Sequence, residues 1–160
     1  MTEHSAFAGF RYPPAVIVLA VRWYLRYGLS YRDLEELLDE RGVEVDHVTL
    51  FRWVQRFTPL LIDAARPCRH AVGDRWLVDE AYVKVAGRWR YVYRAIDQHG
   101  QIIKARLKPM RGLKRDQTAS VIIRGHAFMQ NIRRGHDELD VDTLSHLRVA
   151  AAFSELARTI

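Results

Sequence analysis

Asp79 and Glu80 stand side by side in Trp76-Leu77-Val78-Asp79-Glu80-Ala81-Tyr82-Val83-Lys84-Val85, a run whose β-branched and aromatic residues predict a strand. Carboxylates on strands are ligands for hard divalent cations, and cations held this way assist chemistry at phosphodiesters. Such a centre needs further acids converging from other strands or helices, and the rest of the chain does not obviously supply them. Glu80 cannot be one of them, because neighbours on a strand point to opposite faces. It is expected in a salt bridge or in solvent. The strand follows about 70 residues that read as a helix-turn-helix, and that order suggests a DNA-processing enzyme more than a simple repressor.

The elements that must position these residues follow from capping signals and hydrophobic period. Pro13 and Pro14 open a helix to Tyr27, with Gly28 as its stop. Ser30 caps a second helix, Tyr31 to Glu40, in which Leu34, Leu37 and Leu38 recur at helical spacing before Gly42. Asp46 caps a third, whose apolar face is expected to be Val48, Phe51, Val54 and Phe57, and Pro59 predicts its end near Thr58. The third helix presents His47, Thr49, Arg52, Gln55 and Arg56, side chains able to hydrogen-bond bases or phosphates, and is the expected DNA-reading element. A plain three-helix bundle with solvated polar residues is the competing reading. The second helix is acidic (Asp33, Glu35, Glu36, Asp39, Glu40) and must face away from a duplex.

Residues 60–74 read as a connector, with a domain boundary near residue 72. Trp76 to Val85 and Trp89 to Asp97 then predict a hairpin around Ala86-Gly87-Arg88, and Asp97-Gln98-His99-Gly100 turns the chain into a third antiparallel strand. Pro109 to Leu113 reads as a loop and residues 116–134 as a helix with Gly135 at its end. A final helix is expected from Thr143 to Ile160, capped by Asp142. Asp137, Glu138, Asp140 and Asp142 form an acidic loop cluster, expected to be solvated. The fold class is α+β, since the further strands and crossovers of an α/β enzyme domain cannot be found.

The 160 residues carry a net charge of +6 with an uneven distribution. Residues 1–70 are balanced, 71–107 carry +3, 108–135 carry +6 and 136–160 carry −3. A positive field centred on Lys108 to Arg134, with Lys108, Arg111, Lys114 and Arg115 at its head, suits a polyanionic partner. No apolar run approaches the roughly 20 residues of a membrane span. The N-terminus does not look like a secretory signal, and the single Cys68 excludes an internal disulfide, so a cytoplasmic location is expected.

Several of these stretches together resemble the transposases of the insertion-sequence-six family, small bacterial mobile elements related to IS twenty-six. The resemblance runs in two blocks that cover nearly the whole chain. The first, from about Phe10 to Ile103, includes Phe10-Arg11-Tyr12-Pro13, Ser30 to Leu37, Val45 to Val54, Val78-Asp79-Glu80 and Trp89 to Asp97. The second runs from Lys104 through Arg111-Gly112 and the helix Thr118 to Arg134. The resemblance implies a helix-turn-helix that binds double-stranded DNA at terminal inverted repeats, joined to a ribonuclease-H-like domain with an Asp, Asp, Glu triad. It implies Asp79 as the first triad member and a Mg2+ ligand. The segments that would carry the second Asp and the Glu are missing, so the chain looks like an internally deleted transposase: residues 1–70 bind DNA, 72–135 form a truncated ribonuclease-H-like domain, and 136–160 are an acidic loop and helix.

Two-metal chemistry does not survive on one aspartate. Asp97 is the best-placed substitute. If Asp79 stands opposite Ala95 in the hairpin, Asp97 stands opposite Leu77 and shares the face of Asp79, at a diagonal reach of roughly 7–8 Å. A slip of one residue reverses this, and a turn-forming role is the commoner one for such an Asp. Catalysis is therefore expected to be impaired, and a DNA-binding regulator or inhibitor of the intact transposase is the alternative. Trp76, Tyr82, Trp89, Tyr91 and Tyr93 would pack in a core or stack on single-stranded DNA. Without covering helices, some of these rings become exposed and favour a homodimer or a mixed dimer with intact transposase.

Overall fold

The computed structural model describes residues 5–107, 115–139 and 142–160. Helices α1 (Pro14–Tyr27), α2 (Tyr31–Asp39) and α3 (His47–Ala65) are followed by a 3-10 turn, Arg66–Cys68, and strands β1 (Trp76–Val85), β2 (Arg88–Asp97) and β3 (Ile102–Leu107). Helices α4 (Arg115–Arg134) and α5 (Arg148–Ala157) complete the order. The architecture is mixed, helices with one small antiparallel sheet of order β1-β2-β3. Among the described residues no helix is long and apolar enough to cross a membrane. Lys108, Arg111 and Lys114, and Asp140 of the acidic loop, lie outside the described residues, as does the 109–113 loop; Arg115 opens α4.

The capping signals are realised atom by atom. Pro14 is the first residue of α1, and Gly28 ends that helix at φ 61°. Ser30 and Asp33 form a reciprocal capping box on α2, and Asp46 accepts from the Val48 and Thr49 amides at the start of α3.

Helix α3 departs from expectation. Pro59 does not end it: the helix continues to Ala65, so the expected connector 60–74 is helical over residues 60–65. A proline in a helix interior costs about 3 kcal/mol. Beyond it Leu61, Ile62 and Ala65 are buried, and each large apolar side chain removed from water returns roughly 1.5–3 kcal/mol, so burial wins. The buried stripe is Leu50, Trp53, Val54, Phe57, Thr58, Leu61 and Ile62, a regular 3–4 alternation, which leaves Val48 exposed and Phe51 only partly buried.

One apolar cluster joins α1, α2 and α3 to α4 and α5, with Phe57, Phe128, Ile132, Phe153 and Leu156 among its buried members. Gly125 lets α4 approach closely, since a Cβ there would lie 2.7 Å from Leu25 Cδ2 and 2.8 Å from Thr58 Cγ2. Helix α5 starts at Arg148, not Thr143, and Asp142 does not cap it. Leu144 and Leu147 are exposed, so the turn before α5 has no buried face to hold it helical, whereas Val149, Ala152, Phe153 and Leu156 bury.

The sheet is tied to the helices through Asn131 of α4. Its buried carboxamide accepts from the Ile102 amide at 2.9 Å and donates to the Ile102 carbonyl at 2.8 Å. The β1–β2 turn is the two residues Ala86-Gly87, with φ 49° and 79°, the left-handed pair a tight hairpin requires. Register places Asp79 opposite Arg94, Tyr82 opposite Tyr91, and Trp76 opposite Asp97. The Asp79–Ala95 pairing considered above is thus off by one residue.

Candidate functional site

That single step decides the carboxylate geometry. Paired residues share a face, so Asp79 lies with Arg94 while Asp97, opposite Trp76, lies on the other side of the sheet. Asp97 is also committed: its buried carboxylate accepts backbone amides from Gln101, His99 and Gly73 at 2.9, 3.0 and 3.1 Å. Burial pushes this carboxyl up, but the three backbone amides and nearby His99 outweigh it and hold it below the usual range. Asp97 is therefore the turn-former between β2 and β3 and not a partner of Asp79.

Asp79 itself is half-exposed and ion-paired with Arg94 across the hairpin. Glu80 faces the other side, opposite Tyr93. Among the described residues no group of three or more His, Cys, Asp or Glu side chains could hold a metal ion. A Mg2+ site needs several oxygens converging on one point, and here one carboxylate is present with a guanidinium against it. The residues described do not fit a divalent-metal centre.

The acidic loop differs from expectation as well. Asp137 is buried rather than solvated; it bridges Arg69 through the backbone, and neither carboxylate oxygen has a hydrogen-bond partner. Burial raises its pKa to about 6, against the opposing pull of Arg69 and His70. Asp142 is exposed.

The five candidates on α3 separate into two groups. Arg52 and Arg56 are exposed, one turn apart and in line with exposed Val48; Arg56 lies over the Phe10 ring, 5.4 Å from its centroid. The other three are engaged within the fold. His47 Nδ1 is 3.1 Å from Glu35 of α2, and Thr49 Oγ1 donates to Asp46 at 2.8 Å. Gln55 does not face outward: its amide donates to the Thr118 carbonyl of α4 at 3.2 Å.

Charge around α3 is polarised. Glu35, Glu36, Asp39, Glu44 and Asp46 line a depression at its N-terminal end, with Arg32 and His47 beside them. That end of a reading helix normally enters the groove, and here it is acidic, whereas Arg52 and Arg56 lie one and two turns beyond it. A second basic locus was not read from the sequence. Arg66, Arg69 and Arg124 line a cleft of about 350 Å³ between the end of α3, β3 and α4, with Ser120 beside them. These arginines come from segments more than 50 residues apart, so only the α3–α4 packing brings them together.

Residues 73–108 match a family model described as a DDE domain. The chain is 46% identical over 96 residues to a transposase for the insertion sequence-like element IS431mec of Staphylococcus aureus, covering 60% of this chain and 43% of that protein. It is 45% identical, over the same length and shares, to a Staphylococcus aureus transposase for insertion sequence element IS257 in transposon Tn4003. An uncharacterized Yersinia pseudotuberculosis protein is 44% identical over 36 residues, 22% of this chain and 34% of that one. The chain thus spans less than half the length of the transposases it matches, and the match covers less of it than the two blocks expected from its residues. No solved structure matches it. Over the stretch it shares with them, the chain is similar to these insertion-sequence transposases, and residues 73–108 carry the likeness to a DDE domain.

Proposed function

We propose that the chain serves DNA transposition of an insertion sequence by binding double-stranded DNA at the element's terminal inverted repeats, and that it does not itself cleave or transfer strands. The observation carrying this reading is the isolation of Asp79: its carboxylate is paired with Arg94, and Asp97 and Glu80 lie on the opposite face. In-line attack at phosphorus needs the attacking and leaving oxygens both stabilised, as paired metals do. A lone, neutralised carboxylate can neither hold such ions nor orient a water.

DNA contact is supported by the exposed Arg52 and Arg56 and by the arginine-lined cleft, with the 108–115 basic segment (Lys108, Arg111, Lys114, Arg115) adding charge. On this division of labour residues 1–70 meet the DNA, 72–135 retain part of the DDE domain, and 136–160 close the helical core. A protein that occupies the repeats without cutting acts as a regulator of the intact transposase, by competition or in mixed dimers.

Binding of the chain to a duplex carrying the terminal repeat, measured across salt concentrations, tests the DNA reading. Arg52→Ala and Arg56→Ala are each expected to weaken binding and to lower the salt slope by about 1. Unchanged affinity and slope in both variants would remove α3 from the interface.

A further inference from the structure

Strand β1 pairs only with β2 among the described residues, and it is unusually bare. Trp76, Leu77, Val78 and Tyr82 are 58%, 73%, 69% and 60% exposed, and Trp89 on β2 is 63% exposed. By register Trp76, Val78, Tyr82, Trp89, Tyr91 and Tyr93 share one face. An exposed, apolar edge strand is a template for another strand.

Which backbone groups are free at that edge follows from the turn. A two-residue loop closes on a hydrogen-bonded pair, here Val85 and Arg88, and pairing alternates along an antiparallel ladder. Asp79, Ala81 and Val83 therefore direct their N–H and C=O groups to β2. Val78, Glu80, Tyr82 and Lys84 direct theirs outward.

We propose that this edge pairs with β1 of a second copy of the chain, antiparallel about a two-fold axis at Tyr82, making one continuous six-stranded sheet. Two-fold symmetry requires that a residue meet its own counterpart at the axis. Moving the axis to Asp79 or Glu80 opposes like carboxylates, and at Ala81 it leaves Glu80 against Tyr82 and Lys84 against Val78. With the axis at Tyr82, Glu80 meets the partner's Lys84 and Lys84 meets the partner's Glu80, so the strand is complementary to itself twice. The same register brings together two Tyr82 rings and continues the aromatic face across the junction. Single-stranded nucleic acid stacked on those rings is the competing occupant, but it would leave the outward amides and carbonyls unanswered and would meet Glu80 in the middle of the face. The pairing does not rest on the DNA reading, because it is measured without DNA.

Sedimentation equilibrium of the purified full chain is the test. The wild type is expected to be a dimer. Glu80→Lys and Lys84→Glu are each expected to weaken dimerisation at least about tenfold, because each opposes like charges twice, and the double exchange E80K/K84E is expected to restore it. Far-UV circular dichroism is expected to be unchanged in all three, since both side chains are on the open edge. A monomeric wild type, reversals without effect, or a double exchange that fails to restore the dimer would overturn the proposal. A monomer whose tryptophan fluorescence is quenched by a single-stranded oligonucleotide would overturn it in favour of a nucleic-acid platform.

Discussion

The Asp79 carboxylate is ion-paired with Arg94 across its own hairpin, and the proposed lack of strand cleavage rests on that contact. Two other residues carry strain that can be measured. Ala86 sits at φ 49°, where its Cβ crowds the backbone, and Asn-Gly is the pair such a turn prefers. Ala86→Asn is expected to raise unfolding free energy by roughly 0.5–1 kcal/mol in denaturant titration; no gain would mean that the hairpin contributes little to global stability. Asp137 is the second. Its folded pKa of about 6 lies above the unfolded value of about 3.9, so the folded state binds the proton more tightly. Stability from this group is fully present below about pH 4 and is lost as pH rises through about 6. Asp137→Asn is expected to make the protein more stable than wild type at pH 8 and to remove that titration; equal pH profiles would contradict the burial argument. Neither effect is visible in the sequence, where Asp137 reads as one acid in a solvated run and Ala86 as an ordinary turn residue.

At the scale of elements, short-range chemistry was legible and long-range packing was not. Gly28, Ser30, Asp46 and the Ala86-Gly87 turn act on their immediate neighbours, and the starts of α1, α2 and α3 and the hairpin follow from them. Pro59 and Thr143 misled because the ends of α3 and α5 are fixed by which residues bury, not by local propensity. The hairpin register, on which the position of Asp97 depends, was one residue from the pairing considered, and in a sheet that error exchanges the faces. Asn131 shows the reach of such contacts: nothing local marks it, yet it clamps both backbone groups of Ile102. Asn131→Leu leaves a buried N–H and C=O unsatisfied and is expected to cost at least about 2 kcal/mol. The Ile102 amide should then exchange with solvent much faster relative to the amides of α1. Unaltered protection of Ile102 would show that α4 holds β3 by apolar packing alone.

On the scale of the whole molecule, a helical core built from both ends of the chain carries a small sheet whose outer strand is exposed. The likeness to insertion-sequence transposases was legible because it rests on contiguous stretches such as Val78-Asp79-Glu80 and Trp89 to Asp97. The arginine cleft was not, because its residues meet only after α3 and α4 pack. On the function proposed, this chain engages DNA of its element and leaves it intact. The direct test is incubation of the purified chain with Mg2+ and a labelled duplex carrying the terminal repeat, with binding and nicking scored in the same samples. Bound duplex without nicks is the predicted result. Magnesium-dependent nicking abolished by Asp79→Asn would contradict the account, because it would require a working metal centre around a carboxylate that stands alone.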